Sequence, residues 1–176
     1  MATPSRTFDY DMESRERVLR KEQQIPSGHD PSLYTTRRVL ATAADGERVP
    51  ISLLYRKDTT LDGSAPCLLY GYGSYGSAMS PAFRTNQLSL VDRGFVYAIA
   101  HVRGGTEKGW RWYTEGKRDL KPNTFNDFIA CGEALIAAGY AARGRIVAFG
   151  GSAGGMLMGA AANMAPCMRV VRSPDA

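Results

Sequence analysis

Cysteine and histidine are scarce in this chain, and no apolar run is long. The three cysteines, Cys67, Cys131 and Cys167, are odd in number and lack metal-ligand or CxxC spacing. That argues against a disulfide framework and fits a reducing compartment. Cys67 and Cys131 sit in apolar patterns and read as small core residues. No stretch approaches the length of a membrane span. The opening MATPSRTFDYDMESRER has no apolar segment of the kind a secretory signal needs, so a cytoplasmic location is the default expectation. The formal charge of +5 is spread along the chain, and SRERVLRKE (14–22) mixes both signs as a solvated hairpin does. No basic stripe is interleaved with aromatics, so neither nucleic acid nor a membrane is an expected partner. No metal or cofactor motif is found.

What is present is enough for one domain with a core: 176 residues, 44% of them hydrophobic and 22% charged, as in ordinary globular proteins. RTFDYDM and RVLRKEQ alternate around ESRE and read as a hairpin, followed by a linker, IPSGHDPSLY (25–34). Strand and helix patterns then alternate. RRVLATA (37–43) and VPISLLYRK (49–57) flank ADGE as a second hairpin, and APCLLYGYG (65–73) is a third strand. PAFRTNQLSLVDRG (81–94) reads as a helix and FVYAIAHVRG (95–104) as a strand. NTFNDFIACGEALIAAG (123–139) is the clearest helix, with Asn123 or Thr124 as cap and Gly139 as stop. RIVAFGG (145–151) is a buried strand and SAGGMLMGAAANMA (152–165) a helix of small residues. An antiparallel start followed by βαβα units implies an α/β sheet with helices on both faces.

Two glycine-rich loops carry the chemistry. GYGSYG (71–76) has the letters of a dinucleotide-binding turn, G-x-G-x-x-G, after an apolar strand. Such a site needs an acidic residue at the end of the next strand. Asp92 is near the right spacing but lies before that strand, which instead ends in HVRGG with Arg103. GGSAGG (150–155) contains G-x-S-x-G between a buried strand and a helix. There the chain must turn within a few residues, which forces Ser152 into a strained conformation and requires glycine beside it. Ser152 is then a nucleophile near the positive helix end, with the Ala153 amide free to donate to an oxyanion. The alternative is a glycine-rich helix start that merely packs closely on a strand. In a sheet of this type the loop after the third strand supplies a second oxyanion donor. The phenol of Tyr72, between Gly71 and Gly73, suits that role; the alternative is a buried loop tyrosine.

LLYGYGSYG, DRGFVYAIAHVRGG, NTFNDFIACGEALIAAGY and GGSAGGMLMG together resemble the prolyl oligopeptidase family of serine peptidases, in particular its oligopeptidase B type. The resemblance runs to about Pro166. It implies an α/β-hydrolase fold, here the N-terminal half of the catalytic domain, preceded by a β-hairpin like the end of a β-propeller. Residues 1–24 are then terminal propeller-like strands, 25–34 a linker, 35–166 a partial catalytic domain and 167–176 an atypical tail. The resemblance implies Ser152 as nucleophile, Tyr72 and the Ala153 amide as oxyanion donors, and Tyr75 near the substrate pocket. It implies cleavage of short peptides after Arg or Lys, with no cofactor. Ser80 and Ala82 stand where the oligopeptidase B type often carries acidic residues, which weakens the specificity assignment at the second subsite.

The triad order in this fold is Ser, Asp, His. After Ser152 the chain has Asp175 and no histidine, while His29 falls in the linker and His101 reads as a core or strand-end residue. The ending CMRVVRSPDA (167–176) does not resemble the family and reads as a truncation, which leaves RIVAFGG as an open apolar sheet edge. The chain alone is accordingly expected to be inactive. A carboxylesterase of the same fold and a non-catalytic fragment are the alternatives, and the residues leave the oligomeric state open.

Overall fold

A computed structural model describes residues 1–165 and 169–172, the latter by their strand alone. The first hairpin stands apart as its own two-stranded sheet, β1 (Arg6–Tyr10) against β2 (Arg17–Glu22). Its apolar side chains Phe8, Tyr10, Val18 and Leu19 are exposed. Ion pairs Arg6–Glu22 and Arg20–Asp9, both at 2.6 Å, add little in water. The linker carries one 3₁₀ turn, Pro31–Leu33, capped by Asp30. His29 packs within it against Tyr34 and Phe83.

Among the described residues the main sheet has six strands: β3 (Tyr34–Thr42), β4 (Arg48–Arg56), β5 (Cys67–Tyr70), β6 (Val96–Ala100), β7 (Ile146–Gly150) and β8 (Arg169–Arg172). Their spatial order is β3-β4-β6-β5-β7-β8, antiparallel through β4–β6 and parallel thereafter. Among the described residues four helices accompany it: α1 (Thr85–Val91), α2 (Trp110–Thr114), α3 (Pro122–Ala137) and α4 (Ala153–Met164). The period-two alternation of strands decides which side chain meets which helix. Cys67 and Leu69 of β5, Val96, Ala98 and Ala100 of β6, and Ile146 and Ala148 of β7 join Phe128 and Leu135 of α3 and Leu157 and Met158 of α4. Their neighbours Tyr97 and Ile99 face the other way, onto Leu88 and Val91 of α1. The sheet is thus covered on both faces, as the alternating pattern implies. No helix among the described residues is long and apolar enough to cross a membrane.

Several boundaries differ from those expected. The helix of 81–94 shortens to α1, because Pro81 and an extended Arg84 (φ −146°) precede it. Neither Asn123 nor Thr124 caps α3. The helix begins one residue earlier on Pro122, whose fixed φ suits the first position. The Asn123 amide instead donates to the Glu115 carbonyl at 2.9 Å, and the Thr124 hydroxyl to the Arg103 carbonyl at 2.7 Å. The short helix α2 has no periodicity from which to read it. The open edge expected at β7 is also corrected: β8 pairs with it in parallel from Val147↔Arg169 to Gly150↔Arg172. Residues 167, 168 and 173–176 of the expected tail lie outside the described residues.

The β3–β4 turn is tied to the segment after β6 by Glu47, which accepts from Lys108 and, at 2.7 Å, from Arg111. These hydrogen bonds, Lys108's first, hold the Glu47 carboxyl at about 2, below its ordinary 4.5. A carboxyl depressed on folding adds stability above its unfolded pKa and loses it as pH falls through the folded one. Glu47→Gln is therefore expected to cost up to about 1 kcal/mol at neutral pH. In thermal melts that deficit should shrink to nothing between about pH 5 and about pH 2. A deficit constant across that range would assign the loss to packing instead.

Candidate active site

The passage from β7 to α4 is strained. Ser152 sits at φ 53°, ψ −125°, between Gly151 and the first helical residue, Ala153. A non-glycine side chain rarely adopts positive φ, and this ψ lies outside even the small left-handed well. Hydrogen bonds from the Gly154 amide to the Gly151 carbonyl and from the Gly155 amide to the Ser152 carbonyl, both 2.8 Å, lock the turn. The flanking glycines are needed for contact as well as conformation. A Cβ on Gly150 would lie 2.8 Å from the carbonyl oxygens of both Gly71 and Gly154, and one on Gly154 3.0 Å from that of Gly71. The turn leaves Ser152 exposed. Ala153, first in α4, presents an amide that has no acceptor within the helix.

The 71–76 loop is the second wall. The Gly71 amide extends the β5–β7 ladder to the Phe149 carbonyl at 3.1 Å. Gly71 and Gly73 press on α3: a Cβ on the first would lie 2.6 Å from the Phe128 ring, and on the second 2.4 Å from the Thr124 methyl. Tyr72, half-buried between them, lies over the first turn of α4, its Cδ2 only 3.5 Å from where a Gly154 Cβ would be. The strand-end glycines of 71–76 and the elbow glycines of 150–154 therefore interlock. Tyr75, at φ 57° and 79% exposed, lines an open cleft of about 390 Å³ with Tyr113, Lys117, Lys121, Ala153 and Met156. Ser80 lines a different cavity of about 540 Å³, between α1 and the sheet.

The loop does not run into a helix, since α1 begins only at Thr85, so no helix N-terminus is placed for a pyrophosphate. Asp92 closes α1 and accepts from the Tyr34 hydroxyl at 2.6 Å. Arg103 is buried, donating from Nε and Nη2 to Asp127 at 2.9 and 2.6 Å and from Nη1 to Asp45 at 2.6 Å. Burial works to lower the Arg103 pKa, but these carboxylates outweigh it and keep the guanidinium charged. This network anchors the start of α3, on which the 71–76 loop leans. Nothing in the local pattern marks Asp127 as its centre.

Both histidines are engaged elsewhere. His101 is a core histidine, as its strand position suggests, with Nε2 2.8 Å from the Ser52 hydroxyl. Ser52, His101 and Glu107 have the composition of a triad, but Ser52 and His101 are buried. Glu107 lies 3.7 Å from Nδ1, beyond hydrogen-bond range, and accepts instead from the Met79 amide at 2.9 Å. Sequence reading missed Lys121, whose ammonium bonds the 71–76 loop, because three cations in GKRDLKP carry no periodic signal. Among the described residues, no group of three or more His, Cys, Asp or Glu is arranged to hold a metal ion.

Comparison with known proteins agrees with this geometry. The family model described as prolyl oligopeptidase family matches residues 81–168. Dipeptidyl aminopeptidase BI from Pseudoxanthomonas mexicana is 52% identical over 167 residues, covering 94% of this chain and 23% of that protein. Oligopeptidase B from Leishmania major superposes with a TM-score of 0.90 at 42% identity, covering 98% of this chain and 24% of that one. Oligopeptidase B from Trypanosoma brucei, with covalently bound antipain, gives a TM-score of 0.89 at 45% identity over 98% of this chain and 25% of that one. The chain belongs to the prolyl oligopeptidase family of serine peptidases and has the α/β-hydrolase fold of its catalytic domain. It spans about a quarter of the length of the curated relatives it matches.

Proposed function

We propose that this chain supplies the nucleophile and the oxyanion site of a serine peptidase that cleaves short peptides by acyl transfer. The observation that carries this reading is Ser152, exposed at φ 53° between β7 and α4, with the Tyr72 loop packed on the same turn. Ser152 Oγ attacks the scissile carbonyl, and its proton passes to a base that neither His29 nor His101 provides. The Ala153 amide and the Tyr72 hydroxyl donate to the carbonyl oxygen as it becomes an oxyanion. Tyr75 borders the bound peptide. Residues 1–24 act as closing strands of a propeller-like domain, 25–34 as linker and 35–166 as part of the catalytic domain, to whose sheet Arg169–Arg172 of the expected tail adds β8. The separate sheet of β1 and β2 supports that division. The buried thiols Cys67 and Cys131 suit a cytoplasmic setting.

Cleavage after Arg or Lys is the specificity we propose, on the likeness to oligopeptidase B. Among the described residues the cleft beside Ala153 is lined by Lys117, Arg118 and Lys121 and by no carboxylate, so acidic residues for a basic side chain come from elsewhere than this wall. A matched assay of an aminoacyl-arginine amide against a short acyl ester, in an active polypeptide carrying this segment, separates peptidase from carboxylesterase. In the same polypeptide Tyr72→Phe is expected to lower kcat by about 10²–10³ with little change in KM, because an oxyanion donor acts mainly in the transition state. An unchanged kcat would return Tyr72 to the role of a packed loop tyrosine.

A further inference from the structure

We infer that Lys121 is a positioning residue for the oxyanion site, its ammonium tying the Gly73 carbonyl and the Ser74 hydroxyl so that Tyr72 is held against the first turn of α4. The inference rests on the reading of Tyr72 as an oxyanion donor. The anchor is rigid. Lys121 precedes Pro122 at the start of α3, its amide donating to the Arg118 carbonyl and its carbonyl accepting from the Thr124 amide, both at 3.0 Å. From there Nζ bonds the Gly73 carbonyl oxygen and, at 3.0 Å, Ser74 Oγ. The two residues directly after Tyr72 are thus gripped by one cation.

Burial lowers the pKa of this ammonium, and among the described residues the side-chain bonds it makes are to these two loop oxygens. A half-buried cation in that state is costly unless its donors are used. The rest of the loop is held downstream, by the Gly76 amide on the Gly104 carbonyl at 3.0 Å and the Thr106 hydroxyl on the Gly76 carbonyl at 2.8 Å. Between Gly71, fixed by the ladder, and Gly76, fixed by Gly104, Lys121 supplies the side-chain grip on the segment that carries Tyr72. Hydrogen bonds to a charged donor are the strong kind, and a backbone carbonyl is a geometrically exact target for one.

Hydrogen exchange at the Gly76 amide of the isolated chain tests the tether without any catalysis. Lys121→Met keeps the aliphatic stem and removes the donors. It is expected to speed exchange at Gly76 by about tenfold to a hundredfold, with the melting temperature nearly unchanged, and Lys121→Arg is expected to restore much of the protection. Should Lys121→Met not fold, Ser74→Ala removes one acceptor and should show the same acceleration at smaller amplitude. In an active polypeptide carrying this segment, Lys121→Met should lower kcat by about tenfold at nearly constant KM. Tyr72→Phe should then cost less in that background than in the parent. Unchanged exchange at Gly76, or a loss of kcat on Tyr72→Phe that is as large in the Lys121→Met background as in the parent, would overturn the inference. If Tyr72→Phe alone leaves kcat untouched while the exchange result holds, the oxyanion reading fails and the tether stands.

Discussion

Assayed on its own, the isolated chain is expected to give no peptide hydrolysis that depends on Ser152. A serine hydroxyl attacks at neutral pH only when a positioned base takes its proton, and histidine is the side chain suited to that. The chain has two histidines. His101 is 1% exposed, within the sheet, and bonded to Ser52. His29 has Nε2 2.6 Å from the Ala2 carbonyl oxygen and its ring 5.3 Å from that of Tyr34. Neither can turn to Ser152 without unfolding its own surroundings. Loss of the base in such a site costs on the order of 10⁶ in kcat, leaving about 10³–10⁴ over water from the oxyanion donors and binding. Release of the chromophore from an arginine amide should therefore match that of Ser152→Ala within error. Turnover that Ser152→Ala abolishes would mean that another group in this fold serves as base.

Asp127→Ala is expected to be strongly destabilising. Asp127 is fully buried and accepts three hydrogen bonds from Arg103, from the backbone N–H at 2.9 Å, Nε at 2.9 Å and Nη2 at 2.6 Å. Burial pushes its carboxyl pKa up, against the pull of Arg103. Removing the carboxylate strands a guanidinium that is itself 3% exposed, together with a buried amide. Breaking a buried pair by removing one partner costs about 3–5 kcal/mol, which for a domain of this size lowers the melting temperature by about 10 °C or more. Asp45 holds the outer face of the same guanidinium but is half exposed, and Asp45→Ala should cost about 1 kcal/mol or less. Denaturant unfolding of the two variants side by side decides the matter, since equal losses would show that Asp127 is not the centre of the network. The consequence reaches the site, because Thr124 and Phe128, which wall the Tyr72 loop, stand on the same helix.

Much of the architecture is legible locally. The near-continuous apolar runs in VPISLLYRK and FVYAIA specify strands buried on both faces, and the glycines around Ser152 specify a turn that no larger residue permits. These are properties of a few consecutive residues, so the chain itself carries them. The pairing of Arg103 with Asp127, the reach of Lys121 to Gly73, and the seating of Arg169–Arg172 beside β7 join residues far apart in sequence. Propensity and periodicity hold no record of such distances. Asn123 and Thr124 show the conflict most directly: both are good caps by type, yet tertiary carbonyls at Glu115 and Arg103 take their side chains and Pro122 starts the helix. The sequence by itself determined the strands, the elbow and the identity of its serine, because backbone sterics and side-chain period act over a few residues. Only the tertiary structure decided what grips the Tyr72 loop and where the histidines point, because those depend on which distant polar groups remain unpaired once the sheet has closed over its core.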